Sequence, residues 1–138
     1  MPDADILIHA GDWTYTKNKE HANDFNEWLG SLPHKHKIVV NGNHEFKAEW
    51  DAKEILYNAT YLRDETISIQ VEGKKGELKV HGTDFFHNRI YGVNPAFDAI
   101  PSDVDVLIVH NPPLGYCDEL EIGGHAGDPA MREELDTR

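Results

Sequence analysis

Cysteine occurs once, at position 117, so no internal disulfide can form. A reducing, cytoplasmic location is therefore expected. No apolar run approaches the roughly 18 residues that a membrane span needs. No basic segment leads into an apolar core near Met1 either, so neither a membrane span nor a secretory leader is expected. Basic residues are scarce: 13 Lys and Arg stand against 25 Asp and Glu, a net charge of −12. That balance disfavours a nucleic-acid backbone or an anionic membrane as partner. It would also repel a phosphate-bearing substrate unless a bound metal ion supplied local positive charge. Repeats, low-complexity tracts and linkers are missing as well, and 138 residues are expected to form a single domain, residues 1–138.

What is present reads as an α/β chain. Asp5 to Ala10, His36 to Val40 and Asp103 to Val109 are short, nearly continuous apolar runs, the pattern of strands buried on both faces. Ala22, Phe25, Trp28 and Leu29 recur at helical spacing and predict a helix over 18–30, stopped by Gly30 and Pro33. A second helix is expected over 45–57, with Trp50, Ile55 and Leu56 as its apolar stripe. Thr66–Val71 and Glu77–His81 alternate around Gly73-Lys74-Lys75-Gly76, which predicts a β-hairpin. Asp128 and Pro129 have the chemistry of a helix start. Strands alternating with helices imply a layered α/β fold with a partly parallel sheet, and the hairpin makes that sheet mixed.

The three apolar strands leave the sheet in similar ways: ILIHAGD, KIVVNGNHE and DVLIVHNPP. Ligands of open α/β sheets bind beyond the carboxyl ends of strands, so these exits can bring Asp12, Asn43, His44 and His110 to one cleft. Gly11 and Gly42 remove the Cβ where the backbone must turn beside a ligand. A carboxylate, an amide oxygen and an imidazole suit a borderline divalent ion such as manganese, iron or zinc. His44 would then be free to protonate a leaving oxygen. Each residue also has a plain reading: Asp12 as a turn residue, Asn41-Gly42-Asn43 as a simple turn, His110 as a strand cap.

Gly11-Asp12, Gly42-Asn43-His44-Glu45 and the strand-end His110 resemble three of the five sequence blocks of the calcineurin-like metallophosphoesterases. PDADILIHAGDWT, FNEWLGSLPHKHKIVVNGNHE and HNPPLGYCD are similar to the branch of metallophosphoesterase-domain proteins of the 239AB type, over residues 2–137. The resemblance implies a four-layer α/β sandwich, two divalent ions and hydrolysis of a small phosphoester, with phosphodiesters favoured. It implies Asp12 as the metal-bridging carboxylate, Asn43 and His110 as ligands of the second ion, and His44 as the catalytic residue at the leaving group.

Two blocks of that family have no counterpart here, an early Asp-x-His and a late Gly-His-x-His. Gly124-His125-Ala126-Gly127 has glycine where the second histidine belongs, and His125 is assigned to a connecting loop. The chain is therefore expected to be truncated at both ends, with impaired two-metal catalysis. The alternative function is a non-catalytic metal-binding or interaction domain on the same scaffold. Plain roles are expected elsewhere: His9 in the core, His21, His34 and His36 in solvent, Trp13 and Trp50 in packing, Cys117 inert. His81, Asp84 and His87 lie where the family has a substrate-side loop.

Overall fold

The computed structural model describes residues 3–85 and 95–137. His87 lies outside the described residues. Ten elements follow in chain order: β1 (Ile6–Ala10), α1 (Lys19–Ser31), β2 (His36–Val40), α2 (Ala52–Ile55), β3 (Thr60–Tyr61), β4 (Glu65–Gln70), β5 (Glu77–Gly82), α3 (Pro95–Asp98), β6 (Val106–Ile108) and α4 (Pro129–Asp136). β1, β2 and β3 form one parallel sheet, with Ile8 paired to Ile38 and Val39 to Tyr61. In the second sheet β4 and β5 are an antiparallel hairpin, and β6 joins β5 in parallel. The mixed pairing that the hairpin implied is present in this second sheet.

Alternation along β2 divides the molecule into layers. Ile38 and Val40 point towards the second sheet and pack with Leu62, Ile69, Val80 and Ile108. Val39 points the other way, joining Leu7, Ala22, Leu29, Ile55 and Tyr61 beneath α1 and α2. On the outer face of the second sheet, Phe97 of α3 and Ile100 just after it meet Met131 of α4, with Leu107 and Val109 against them. The order is helices, sheet, sheet, helices, a four-layer sandwich. Leu29, Val39, Val40 and Val80 have no exposed surface, each such side chain contributing about 1.5–3 kcal/mol of burial.

Local chemistry explains the helix ends. The Asn18 side chain accepts the Glu20 and His21 backbone N–H groups and starts α1. Asp128 does the same for Ala130 and Met131 at α4, with Pro129 in the first turn. The helix expected over 45–57 is not formed. Residues 45–47 lie in a turn and 49–50 in a bend, and only Ala52–Ile55 makes a helical turn, capped by Asp51. Lys47 has φ 57°, which ends any right-handed helix there.

Because β1, β2 and β3 run parallel, and β5 and β6 run with one another, their carboxyl ends meet at one rim. The sheets approach closely there: a Cβ on Gly82 would sit 2.6 Å from Leu62 Cβ and 2.8 Å from Val40 Cγ1.

Candidate metal centre

Gly11 and Gly42 face each other at this rim. Gly11 has φ 98°, and a Cβ there would lie 2.5 Å from His110 Nδ1 and 2.6 Å from the Gly42 nitrogen. A Cβ on Gly42 would overlap Asp12 Oδ1 and reach 2.7 Å from His110 Cε1. Only glycine lets the two loops and the imidazole share this space. Asp12, Thr16 and Lys17 add positive φ values of 57°, 52° and 64°, so the loop after β1 holds several residues in a disfavoured conformation.

Glu45 binds these loops together from below. Its Oε2 accepts the backbone N–H of Asp12 at 2.9 Å and of Gly42 at 2.8 Å. Its Oε1 accepts the Thr14 N–H at 2.7 Å and the Thr14 hydroxyl at 2.8 Å. The residue is 2% exposed. Four donors replace the water that the buried carboxylate gave up.

Above that brace, Asp12, Asn43 and His110 converge. His110 Nδ1 donates to the Ala10 carbonyl at 2.7 Å, because a carbonyl oxygen can only accept. In the neutral ring Nε2 then carries a lone pair. Nε2 lies 3.0 Å from Asn43 Oδ1 and 3.4 Å from Asp12 Oδ1. With the neutral ring, three electron-pair donors meet here, an arrangement that a cation satisfies. Asp12 Oδ1 is steadied by the His44 backbone N–H at 3.0 Å. This donor set fits one divalent ion. Among the described residues no three His, Cys, Asp or Glu side chains gather around a common point; the Asn43 amide oxygen is the third member of this set.

His44 stands beside the centre. Its Nδ1 donates to the Thr14 carbonyl at 2.9 Å, which fixes the ring and leaves Nε2 for a ligand. Tyr15 packs edge-on to His44 at 6.0 Å between ring centroids, and Phe85 to His110 at 5.8 Å. Asp84 shares a small cavity with His110, Thr83 and Asn111. It also accepts from Tyr61 at 3.2 Å and pairs with Arg63 at 3.4 Å. Burial, followed by the nearby Asp84 carboxylate, pushes the Tyr61 hydroxyl pKa well above its ordinary value.

Other expectations divide. Trp13 and Trp50 are packing residues, with Trp13 stacked on Phe25 and 5.3 Å from Trp50. His125 lies in the loop before α4, where its Nδ1 meets Asp118 at 2.9 Å. His9 is half-buried against Phe25, but its Nδ1 has no hydrogen-bond partner among the described residues. Burial pushes its pKa down. His34 is not solvated: it is 6% exposed. His36 belongs to β2, where its Nε2 donates to the Gln70 carbonyl. His81 faces away from solvent inside the hairpin, its Nδ1 2.8 Å from Thr66 Oγ1. Glu45 is the residue that sequence reasoning passed over. Its only signal was its place directly after Asn43-His44.

The fold and this rim define an α/β protein in which Asp12, Asn43 and His110 meet beyond its parallel strands. The profile of the calcineurin-like phosphoesterases matches residues 1–137, and the chain belongs to that family. Two Caenorhabditis elegans proteins, UPF0046 protein K07C11.7 and UPF0046 protein C25E10.12, are each 37% identical over 139 residues. Those alignments take in 87% and 86% of this chain, and 48% and 49% of the worm proteins. Metallophosphoesterase domain-containing protein 1 of Homo sapiens is 34% identical over 147 residues, 86% of this chain and 45% of the human protein. The chain thus spans a little under half the length of these relatives. No helix among the described residues is long and apolar enough to cross a membrane.

Proposed function

We propose that this chain carries the metal-binding rim of a phosphoester hydrolase acting on small phosphodiesters. Asp12, Asn43 and His110 would hold a divalent ion, manganese, iron or zinc. When bound, such an ion would supply positive charge for the phosphoryl oxygens and lower the pKa of water. His44, fixed by the Thr14 carbonyl, gives the Nε2 proton of its imidazolium form to the leaving oxygen. Hydrolysis consumes one water and yields a phosphomonoester and an alcohol, whose new O–H carries that proton. One observation supports this reading above the rest: Asn43 Oδ1 and Asp12 Oδ1 lie 3.0 Å and 3.4 Å from His110 Nε2. In a complete family member Asp12 would also help to hold a second ion. The lone, exposed Cys117 suits a cytoplasmic setting.

The test is turnover of bis-p-nitrophenyl phosphate with Mn²⁺. His44→Ala is expected to lower the rate by about 100-fold or more. Unchanged turnover in that variant contradicts the assignment. A second reading, a metal-binding module without turnover, is favoured by the single-ion donor set. Calorimetric binding of Mn²⁺ with no hydrolysis identifies it.

A further inference from the structure

Tyr15 borders the residue that the proposed reaction uses as its acid. Its ring lies 6.0 Å from the His44 ring between centroids and almost perpendicular to it. Thr14, whose carbonyl fixes His44 Nδ1, is the residue directly before it in the chain. Even so, Tyr15 is 67% exposed. Tyr57 and Tyr116 are exposed too, but each is engaged: the Tyr57 hydroxyl binds Glu27, and the Tyr116 ring carries the Arg132 guanidinium. Among the described residues the one ring neighbour of Tyr15 is His44.

The backbone is held on both sides of Tyr15. Thr14 gives its N–H and its hydroxyl to Glu45. Thr16, a β-branched residue, is left-handed at φ 52°, and Lys17 follows at 64°. Strain of this kind persists only where surrounding bonds enforce it. Here the Lys17 N–H donates to the His44 carbonyl at 2.9 Å, and the Trp50 indole N–H to the Lys17 carbonyl at 2.9 Å. The Asn18 N–H reaches the Tyr15 carbonyl at 3.3 Å. A side chain with only two rotatable bonds thus projects into solvent from a fixed loop, and ordering it against a ligand costs little.

Its place beside His44 decides which part of a substrate it meets. His44 Nδ1 is engaged with the Thr14 carbonyl, so Nε2 is the atom that faces the leaving oxygen. The organic group on that oxygen must therefore pass the rings that border His44. On the other flank Phe85 lies against His110, but it is only partly exposed and packs on Phe46 at 5.3 Å. From this arrangement we infer that Tyr15 is a specificity-determining residue, selecting phosphodiesters whose leaving group bears a flat aromatic ring. That ring packs against Tyr15; as the P–O bond breaks, the leaving oxygen keeps the electron pair and takes the His44 proton. The inference rests on the roles proposed above for His44 and the metal centre.

Binding of diphenyl phosphate and of dimethyl phosphate to the ¹⁵N-labelled chain with Zn²⁺ is the test. In the parent, diphenyl phosphate should bind about three- to tenfold more tightly and shift the amides of residues 14–17 and 44. Tyr15→Ala should lose that advantage while binding dimethyl phosphate as the parent does. Tyr15→Phe keeps the ring and should keep the advantage. Tyr57→Ala, which removes an exposed ring elsewhere, should bind both esters as the parent does. Equal affinity of the two esters in the parent, an undiminished advantage in Tyr15→Ala, or an equal loss for both esters would each overturn the role of Tyr15 while leaving the metal centre in place. Binding of neither ester would overturn the proposed function, and this inference with it.

Discussion

Glu45 Oε2 accepts the Asp12 backbone N–H at 2.9 Å, joining the loop after β2 to the loop after β1 across 33 residues of sequence. The same oxygen accepts the Gly42 N–H, and Oε1 takes two donors from Thr14. Glu45 touches no donor of the metal centre with its own side chain; it sets where their backbones lie.

Glu45→Ala leaves three backbone N–H groups and a hydroxyl in a buried place with no acceptor. Each such loss costs about 1–3 kcal/mol, so destabilisation of at least about 3 kcal/mol is expected. Urea denaturation reads the change. Glu45→Gln keeps the shape but turns one oxygen into a donor, and should fall between parent and alanine. A change below about 1 kcal/mol for Glu45→Ala would show that the brace carries little.

Gly42→Ala tests the close approach. The added methyl collides with Asp12 Oδ1 and with the His110 ring, both fixed in place. Loss of Mn²⁺ affinity by at least about tenfold is expected, together with destabilisation of about 1–3 kcal/mol. Calorimetry and thermal denaturation measure the two effects. Parent-like affinity would mean that the loops yield easily. Gly73 in the hairpin turn has no atom within 4 Å of a built Cβ, but its φ is 75°. Gly73→Ala should therefore cost only backbone strain, about 1 kcal/mol, with no effect on metal binding.

Asp118 governs the acid response of the loop before α4. Its carboxylate accepts from the Gly115 and Gly127 N–H groups and from His125. The Gly115 bond, above the others, holds its pKa below the ordinary carboxylate value. The folded pKa is depressed, so the stabilisation is present above the unfolded value of about 3.9 and is lost as pH falls through the folded one. Amide protection of Gly115 and Gly127 should thus persist through pH 4 and decline below it. In Asp118→Asn that decline should vanish, with weaker protection at every pH. Loss of protection already at pH 5 in the parent would contradict the assignment.

Much of this architecture could be read from pattern. β2 follows its apolar run and the β4–β5 hairpin its alternation, while β1 forms where its apolar run lies but is an edge strand buried only at Leu7, with Ile8 45% exposed rather than covered on both faces. The spacing of Ala22, Phe25, Trp28 and Leu29 announced one helix and the Asp128 cap another, while the Asn18 cap was visible only in the structure. The convergence of Asp12, Asn43, His44 and His110 followed from parallel strands sharing a carboxyl rim. What escaped depends on distant partners. The apolar stripe of 45–57 spelled a helix, but Glu45 spends its side chain on Asp12, Thr14 and Gly42, and Lys47 turns left-handed. β3 is two residues long and exists only by pairing with β2. His34 reads as a loop residue, yet the chain around it folds over its ring.

The central claim is that Asp12, Asn43 and His110 form a cation site, and paramagnetic broadening by Mn²⁺ tests it most directly. Substoichiometric Mn²⁺ added to the ¹⁵N-labelled chain should broaden the amides of residues 11–14, 42–45 and 110 first. Asp12→Asn and His110→Ala should each abolish that localised effect. Broadening spread over the acidic surface at large, or unchanged in both variants, would contradict the account.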